Sequence, residues 1–261
     1  MFTRALSFFA AAVFSLSALA AGPEAFEGHD YTRLKQAQPV ATGKKIEVLE
    51  FFWYRCPHCF QLEPGLNTWL KTLPRDVQVR RVPAVFRDDW VPGAKLYYTM
   101  EQYYMLEHTL VPTNRLDSLH RKVFDAYHVE NINLNDPAVL GGWIAQQGVD
   151  RKQFEDIYNS FSTQSKVTQG TRLAATYAIT GVPAFIIDGK YATTMSMTGS
   201  EPRLFEVLDH VTGRQPGLAG RRLPGRGQRC GAVAERGRAG RTPGGPAGCR
   251  VFAGQAARHR G

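Results

Sequence analysis

The stretch Phe51–Phe60, FFWYRCPHCF, decides how the chain is read. Two cysteines, Cys56 and Cys59, enclose a proline and a histidine directly behind a run of aromatic residues. Upstream, Lys45–Tyr54 (KIEVLEFFWY) is nearly all apolar and aromatic, interrupted by Glu47 and Glu50. A strand covered on both faces, as in α/β proteins, has this composition. The cysteine pair then opens a helical pattern running through Lys71. Pro57 falls in its first turn, where a missing N–H is harmless, and Pro64 falls inside, where a kink is expected. Val77–Pro83 (VQVRRVP) alternates as a second strand, so the core opens β-α-β.

From about Trp90 to Ala178 the periodicity is helical. AKLYYTMEQYYMLEH and RLDSLHRKVFDAYH repeat apolar residues at helical spacing. Asp136 and Pro137 open a helix that Gly148 stops, and Asp150 with Gln153 begins another in the manner of a capping box. A last helix of this block is expected over Thr163–Tyr177. VPAFIID and KYATTM, joined through Asp188 and Gly189, predict a hairpin. Ser200, Glu201 and Pro202 start a closing helix that runs to Val211. The core thus reads β-α-β, a block of helices, then α-β-β-α, with no internal repeat.

The two ends differ from this core. Residues 1–20 carry Arg4, an apolar run and then Ala18-Leu19-Ala20, the order of a secretory signal with a small-residue cleavage site. The run is short for a membrane span, and no later segment reaches ~18 continuous apolar residues. Export implies a compartment in which disulfides persist. The formal charge of +9 belongs to the other end, since Arg214–Gly261 holds eleven arginines and one acid, Glu235. Its Gly, Pro and Ala content and lack of apolar periodicity predict a disordered tail over 214–261. One reading of the tail is a polyanion-binding arm. The other is a GC-rich coding stretch translated out of frame, which the abrupt onset after Gly213 favours. Nucleic acid is not an expected partner of an exported chain.

Cys230 and Cys249 lie in the tail, which leaves Cys56 and Cys59 to the folded part. As a staple they would do little: closing a four-residue loop is worth about 2 kcal/mol, against about 4.7 for a loop of 100. Zinc prefers four ligands. There is no second C-x-x-C, and His29, His108, His120, His128 and His210 show no ligand spacing, so no metal is expected. Redox chemistry has a physical basis. At the head of a helix, unpaired N–H groups and the helix dipole point at the Cys56 sulfur, and His58 adds positive charge or a hydrogen bond. Both favour the thiolate, and a stabilised thiolate makes the corresponding disulfide a stronger oxidant.

The strand, CPHC, the helical block and GVPAF, in this order, resemble the DsbA family of periplasmic thiol:disulfide interchange proteins over about Phe26–Val211. VLEFFWYRCPHC extends the motif upstream of the cysteines. The resemblance implies a thioredoxin-like α/β fold interrupted by an all-helical insertion: residues 21–88 and 164–213 forming the thioredoxin-like part, 89–163 the insertion. It implies a redox site of Cys56, Pro57, His58 and Cys59, with Pro183 as a cis-proline facing the pair. Val182 would offer backbone groups to an extended substrate. Glu50 matches a buried acid of the family, expected to have a raised pKa and to exchange a proton with Cys59. Glu63, four residues beyond Cys59 on the same helix face, is a possible supporting acid. No cofactor beyond the Cys56–Cys59 disulfide is implied. Expected partners are unfolded exported proteins with free thiols and a membrane quinone reductase of the DsbB type, and a monomer in the periplasm is the working expectation. Alternatives are an isomerase or reductase of the same fold, or a polyanion-binding module acting through the tail. The tail has no counterpart in the family, and Phe86–Val111 resembles it in helical character alone.

Overall fold

The computed structural model of the protein describes residues 24–107 and 114–214. The predicted signal segment, His108, and the tail beyond Arg214 with Cys230 and Cys249 lie outside the described residues.

The segment read as a buried strand is β2, Ile46–Phe52, preceded by a short β1, Thr32–Arg33. β2 runs parallel to β3, Val77–Pro83, and antiparallel to β4, Ala184–Ile187. With β5, Tyr191–Thr194, they form a five-stranded sheet of order β1-β5-β4-β2-β3, so β2 lies in its interior. Burial of β2 is close to total: Val48, Leu49, Phe51 and Phe52 are each 1 % exposed or less. Each such side chain contributes about 1.5–3 kcal/mol by leaving water.

Successive residues of a strand face opposite sides of the sheet, and two cores follow. Val48, Phe185 and Ile187 pack against Leu62 and Leu66 of α1, Pro57–Leu70, and Leu204 and Leu208 of α8, Glu201–Val211. Leu49, Phe51, Ala184 and Ile186 pack on the other side with Ala174 and Tyr177. Those two belong to the end of α6, Phe161–Thr176, and its C-cap. α1 continues through Pro64.

The helical block consists of a 3₁₀ turn at Asp88–Trp90, α2 at Val91–Glu107, α3 at Asn114–His128, α4 at Pro137–Gln146 and α5 at Arg151–Tyr158, followed by α6. The predicted caps operate. Asp136 accepts from the N–H groups of Ala138 and Val139, and Asp150 accepts from that of Gln153 at 2.7 Å. α6 begins at Phe161, two residues before the expected Thr163, because the Ser160 hydroxyl takes the cap and accepts from the Thr163 N–H. The block's core, with Leu96, Met100, Phe124, Ile144 and Phe154, is continuous with Phe52 and Tyr54. The loop carrying the cysteines therefore rests on the helical block as well as on the sheet.

The hairpin joins β4 to β5 through Asp188 at φ +50° and Gly189 at φ +61°, with the Lys190 N–H donating to the Ile187 carbonyl at 2.9 Å. That is the primed turn for which Asp-Gly is favoured. β5 stops one residue short of Met195, since Thr194 caps a short α7, Met195–Thr198, by accepting from the Met197 N–H. Ser200 caps α8 in the same way through the Arg203 N–H. No helix among the described residues is long and apolar enough to cross a membrane.

Candidate active site

Cys56 is the N-cap of α1, with Pro57 in the first turn. Its N–H donates to the Trp53 carbonyl at 3.0 Å, which closes the loop between β2 and α1. Both cysteines carry free thiols. The Cys56 pKa falls from 9.0 to about 6. The largest cause is the Cys59 thiol donating to its sulfur; burial opposes the shift, while the N–H groups of Cys59 and His58 and the His58 charge assist it. The helix N–H groups emphasised by the sequence do contribute, but the neighbouring thiol outranks them. Cys59 moves the other way, well above an ordinary thiol: burial is the main cause, followed by its donation to Cys56, the Cys56 charge and the Glu50 carboxyl. The two sulfurs thus ionise far apart, Cys56 first. Pro57 and His58 are exposed.

Across the fold, the Cys56 thiol donates to the Val182 carbonyl at 3.5 Å, and the Val182–Pro183 peptide is cis. Val182 is half-buried and Pro183 buried. The sulfur, the loop before β4 and the head of α1 therefore meet at one point.

Behind this point lies a buried charged cluster. Glu50 on β2 and Glu63 on α1 are each 1 % exposed. An unpartnered buried carboxylate costs several kcal/mol, so each needs hydrogen-bond donors or a proton. Arg81 on β3, in register opposite Glu50, supplies them. Its Nε donates to Glu50 Oε2 at 3.1 Å, and Nη2 lies 3.8 Å from Glu63 Oε2. The guanidinium also donates to Asn67 at 3.3 Å and to Asp117 at 3.0 Å. Burial pushes the Glu50 pKa up to about 8, Arg81 offsetting part of this and the Glu63 charge adding to it. Glu63 is also penalised by burial, but His120, Arg81 and Asn67 overcome that and hold its carboxyl below the usual range. On the opposite face of the sheet, Glu47 is buried and pairs with Arg80 at 2.8 Å. Consecutive arginines in β3 thus serve acids on opposite faces of β2.

α3 grips the redox loop at two points. His120 Nδ1 lies 2.7 Å from the Tyr54 hydroxyl and its Nε2 lies 3.2 Å from Glu63 Oε1. His128 Nε2 donates to the Tyr54 carbonyl at 2.8 Å and its ring stacks on Phe60. Trp53 stacks on Trp90 at 3.9 Å beside the partly exposed Phe86, leaving an aromatic ledge next to the loop. Arg81, His120, Tyr54 and Asn67 join the site without belonging to the CPHC or GVPAF motifs. Asn67 stands four residues beyond Glu63 on one helix face and was detectable by that spacing. Among the described residues, no group of three or more His, Cys, Asp or Glu side chains could hold a metal ion.

Comparison with known proteins agrees with this geometry. The model of the DSBA-like thioredoxin domain matches residues 47–208. The chain is 40 % identical over 185 residues to the thiol:disulfide interchange protein DsbA of Burkholderia cepacia, covering 70 % of this chain and 82 % of that protein. It is 39 % identical over 200 residues to the DsbA of Bordetella parapertussis, covering 77 % and 90 %. Among solved structures, Pseudomonas aeruginosa DsbA superposes with a TM-score of 0.63 at 33 % identity, over 71 % of this chain and 92 % of that one. The oxidoreductase NmDsbA1 from N. meningitidis does so at 0.62 with 28 % identity, over 72 % and 92 %. A thioredoxin-type sheet, CPHC at a helix head and relatives matched over most of their length lead to one conclusion: the chain belongs to the DSBA-like thioredoxin family of thiol–disulfide oxidoreductases.

Proposed function

We propose that the protein is a periplasmic oxidase that donates a Cys56–Cys59 disulfide to newly exported, unfolded proteins. The observation that carries this reading is the contrast between the two sulfurs: Cys56 pushed down to about 6 at the helix head, Cys59 pushed far up behind it. A thiolate of the substrate attacks Cys56 Sγ, and the Cys56–Cys59 bond breaks. Cys59 leaves with the bonding electron pair and takes a proton from the Glu50 carboxylic acid. A second substrate thiolate then attacks the substrate sulfur of the mixed disulfide, and Cys56 leaves as the better thiolate. The substrate departs with a disulfide, the enzyme as a dithiol.

The other residues have supporting roles in this scheme. Val182 lends its backbone to an extended substrate beside Pro183, Pro57 and His58 shape the exposed head of α1, and Glu63 shares Arg81 with Glu50. The aromatic ledge of Trp53, Trp90 and Phe86 suits unfolded chains with exposed apolar side chains. Residues 21–88 and 164–213 form the redox part and 89–163 the insertion. A signal at 1–20 is removed on export, the protein works as a monomer without further cofactor, and a membrane quinone reductase of the DsbB type reoxidises it.

Cys56→Ala is expected to abolish oxidation of a reduced dithiol peptide, whereas Cys59→Ala should accumulate mixed disulfides visible on non-reducing gels. Full oxidase activity in the Cys56→Ala variant would overturn the assignment. Equilibration with glutathione separates oxidase from reductase: a potential near about −270 mV, as in thioredoxin, would mark a reductase.

A further inference from the structure

Arg81 lies between two buried carboxylates and can neutralise one of them. Its Nε donates to Glu50 at 3.1 Å, whereas Nη2 stands 3.8 Å from Glu63. By the guanidinium alone Glu50 should be the ion and Glu63 the acid, since the nearer charge stabilises more. The remaining donors reverse that order. Glu63 accepts at both oxygens, from Asn67 Nδ2 at 2.9 Å and from His120 Nε2 at 3.2 Å. Among the described residues, Glu50 accepts from Arg81 alone.

His120 is fit for this task. It is 1 % exposed, and burial disfavours its imidazolium form. The Tyr54 hydroxyl, 2.7 Å from Nδ1, is itself kept protonated by burial, so it donates and leaves the imidazole hydrogen on Nε2, facing Glu63. The titratable and charged groups around the ring are Glu63 from α1, Arg81 from β3, Tyr54 from the redox loop, Tyr97 from α2 and Asp117 from its own helix. Of these groups Arg81 alone donates to Glu50, and none besides Arg81 and His120 faces Glu63 as a donor from this set.

We propose that His120 is a positioning residue for disulfide transfer: its Nε2–H selects Glu63 as the ionised partner of Arg81 and so leaves the proton on Glu50, within electrostatic reach of Cys59. The inference rests on Glu50 being the acid of the proposed reaction. When Cys59 leaves with the sulfur–sulfur electron pair, the proton passes from Glu50 to Cys59. Glu50 becomes a carboxylate against Arg81, and Glu63 is unchanged. The helical insertion thereby takes part in the chemistry of cysteines it does not contain.

Isotope-edited infrared spectroscopy of the oxidised full chain at neutral pH, with glutamate carboxyls labelled, tests this directly. In the wild type, Glu50→Gln should remove a carboxylic-acid band and Glu63→Gln should leave it. In His120→Phe the pattern should invert, and His120→Gln, which keeps an N–H at similar reach, should restore it. His120→Phe should also slow mixed-disulfide formation about tenfold and move its pH dependence down by about one unit, with His120→Gln within about twofold of wild type. If His120→Phe fails to fold, Tyr54→Phe frees the imidazole to change tautomer and should weaken the Glu50 band; an unchanged band there overturns the proposal. A band that Glu50→Gln removes from wild type and His120→Phe alike also overturns it. A wild type whose band survives Glu50→Gln means that Glu50 is not the acid, and the proposed reaction itself falls.

Discussion

Between about pH 6 and 9 the folded dithiol holds Cys56 without its proton, while an unfolded chain keeps that proton up to the ordinary thiol value of 9.0. At this group the unfolded state binds more protons in this window, so the Cys56 contribution to the stability of the reduced form rises with pH across it. The contribution is fully present above pH 9 and is lost as pH falls through 6. Glu50 works in the opposite sense. Its folded value of about 8 lies above 4.5, so its contribution declines as pH rises from 4.5 to 8. The Glu50 carboxyl is present in oxidised and reduced protein alike, whereas the Cys56 thiol exists in the reduced form alone. The difference in melting temperature between the two forms therefore isolates the cysteine. Calorimetry should find the reduced form gaining on the oxidised one between about pH 5.5 and about pH 8.5, and a constant gap would mean that Cys56 ionises like a free thiol.

At the scale of elements, the β4–β5 turn shows how little freedom a two-residue connection leaves. Gly189 is left-handed, and a Cβ there would collide with the backbone carbonyl oxygen of Gln38, whose own N–H donates to the Gly189 carbonyl. A backbone oxygen cannot swing aside as a side chain can. Gly189→Ala is expected to cost about 2–4 kcal/mol in urea unfolding, combining the left-handed strain with the clash. The turn lies at the opposite end of β4 from Pro183, so the redox potential of the folded variant should be unaltered. This turn was legible in Asp188-Gly189, as β2 was in its long apolar run and α4 in Asp136-Pro137, because each signal is local. The start of α6 was ambiguous because Ser160, Ser162 and Thr163 all offer a capping hydroxyl within four residues. Glu50 was legible through the family motif. Arg81 and His120 were not, since Arg81 is brought to Glu50 by the parallel register of β2 and β3, and His120 to Glu63 by packing of α3 against α1.

At the scale of the whole molecule, the C-terminal end of the described residues is held by Arg214. Arg214 Nη1 donates to Asp209 Oδ1 at 2.9 Å, the oxygen that also accepts from Trp69 Nε1 at 2.8 Å, and its N–H donates to the Asp209 carbonyl. A chain ended after Arg214 is expected to melt and to oxidise substrate like the full chain. One ended after Gly213 should lose about 1 kcal/mol, because a partly buried charged donor is removed from Asp209. Matching stabilities of the two truncations in chemical denaturation would show that Arg214 contributes nothing.

The contact between the Cys56 sulfur and the Val182 carbonyl joins positions 126 residues apart in the chain. A polypeptide made from its N-terminus onward presents its reactive thiol long before the segment that will shelter it has emerged. Until then the Cys56 sulfur lacks the cover of Val182, while the groups that lower its pKa, Cys59 and His58, already stand beside it in the chain. The last strands to emerge are therefore the ones that close the site over a sulfur whose neighbours came with it.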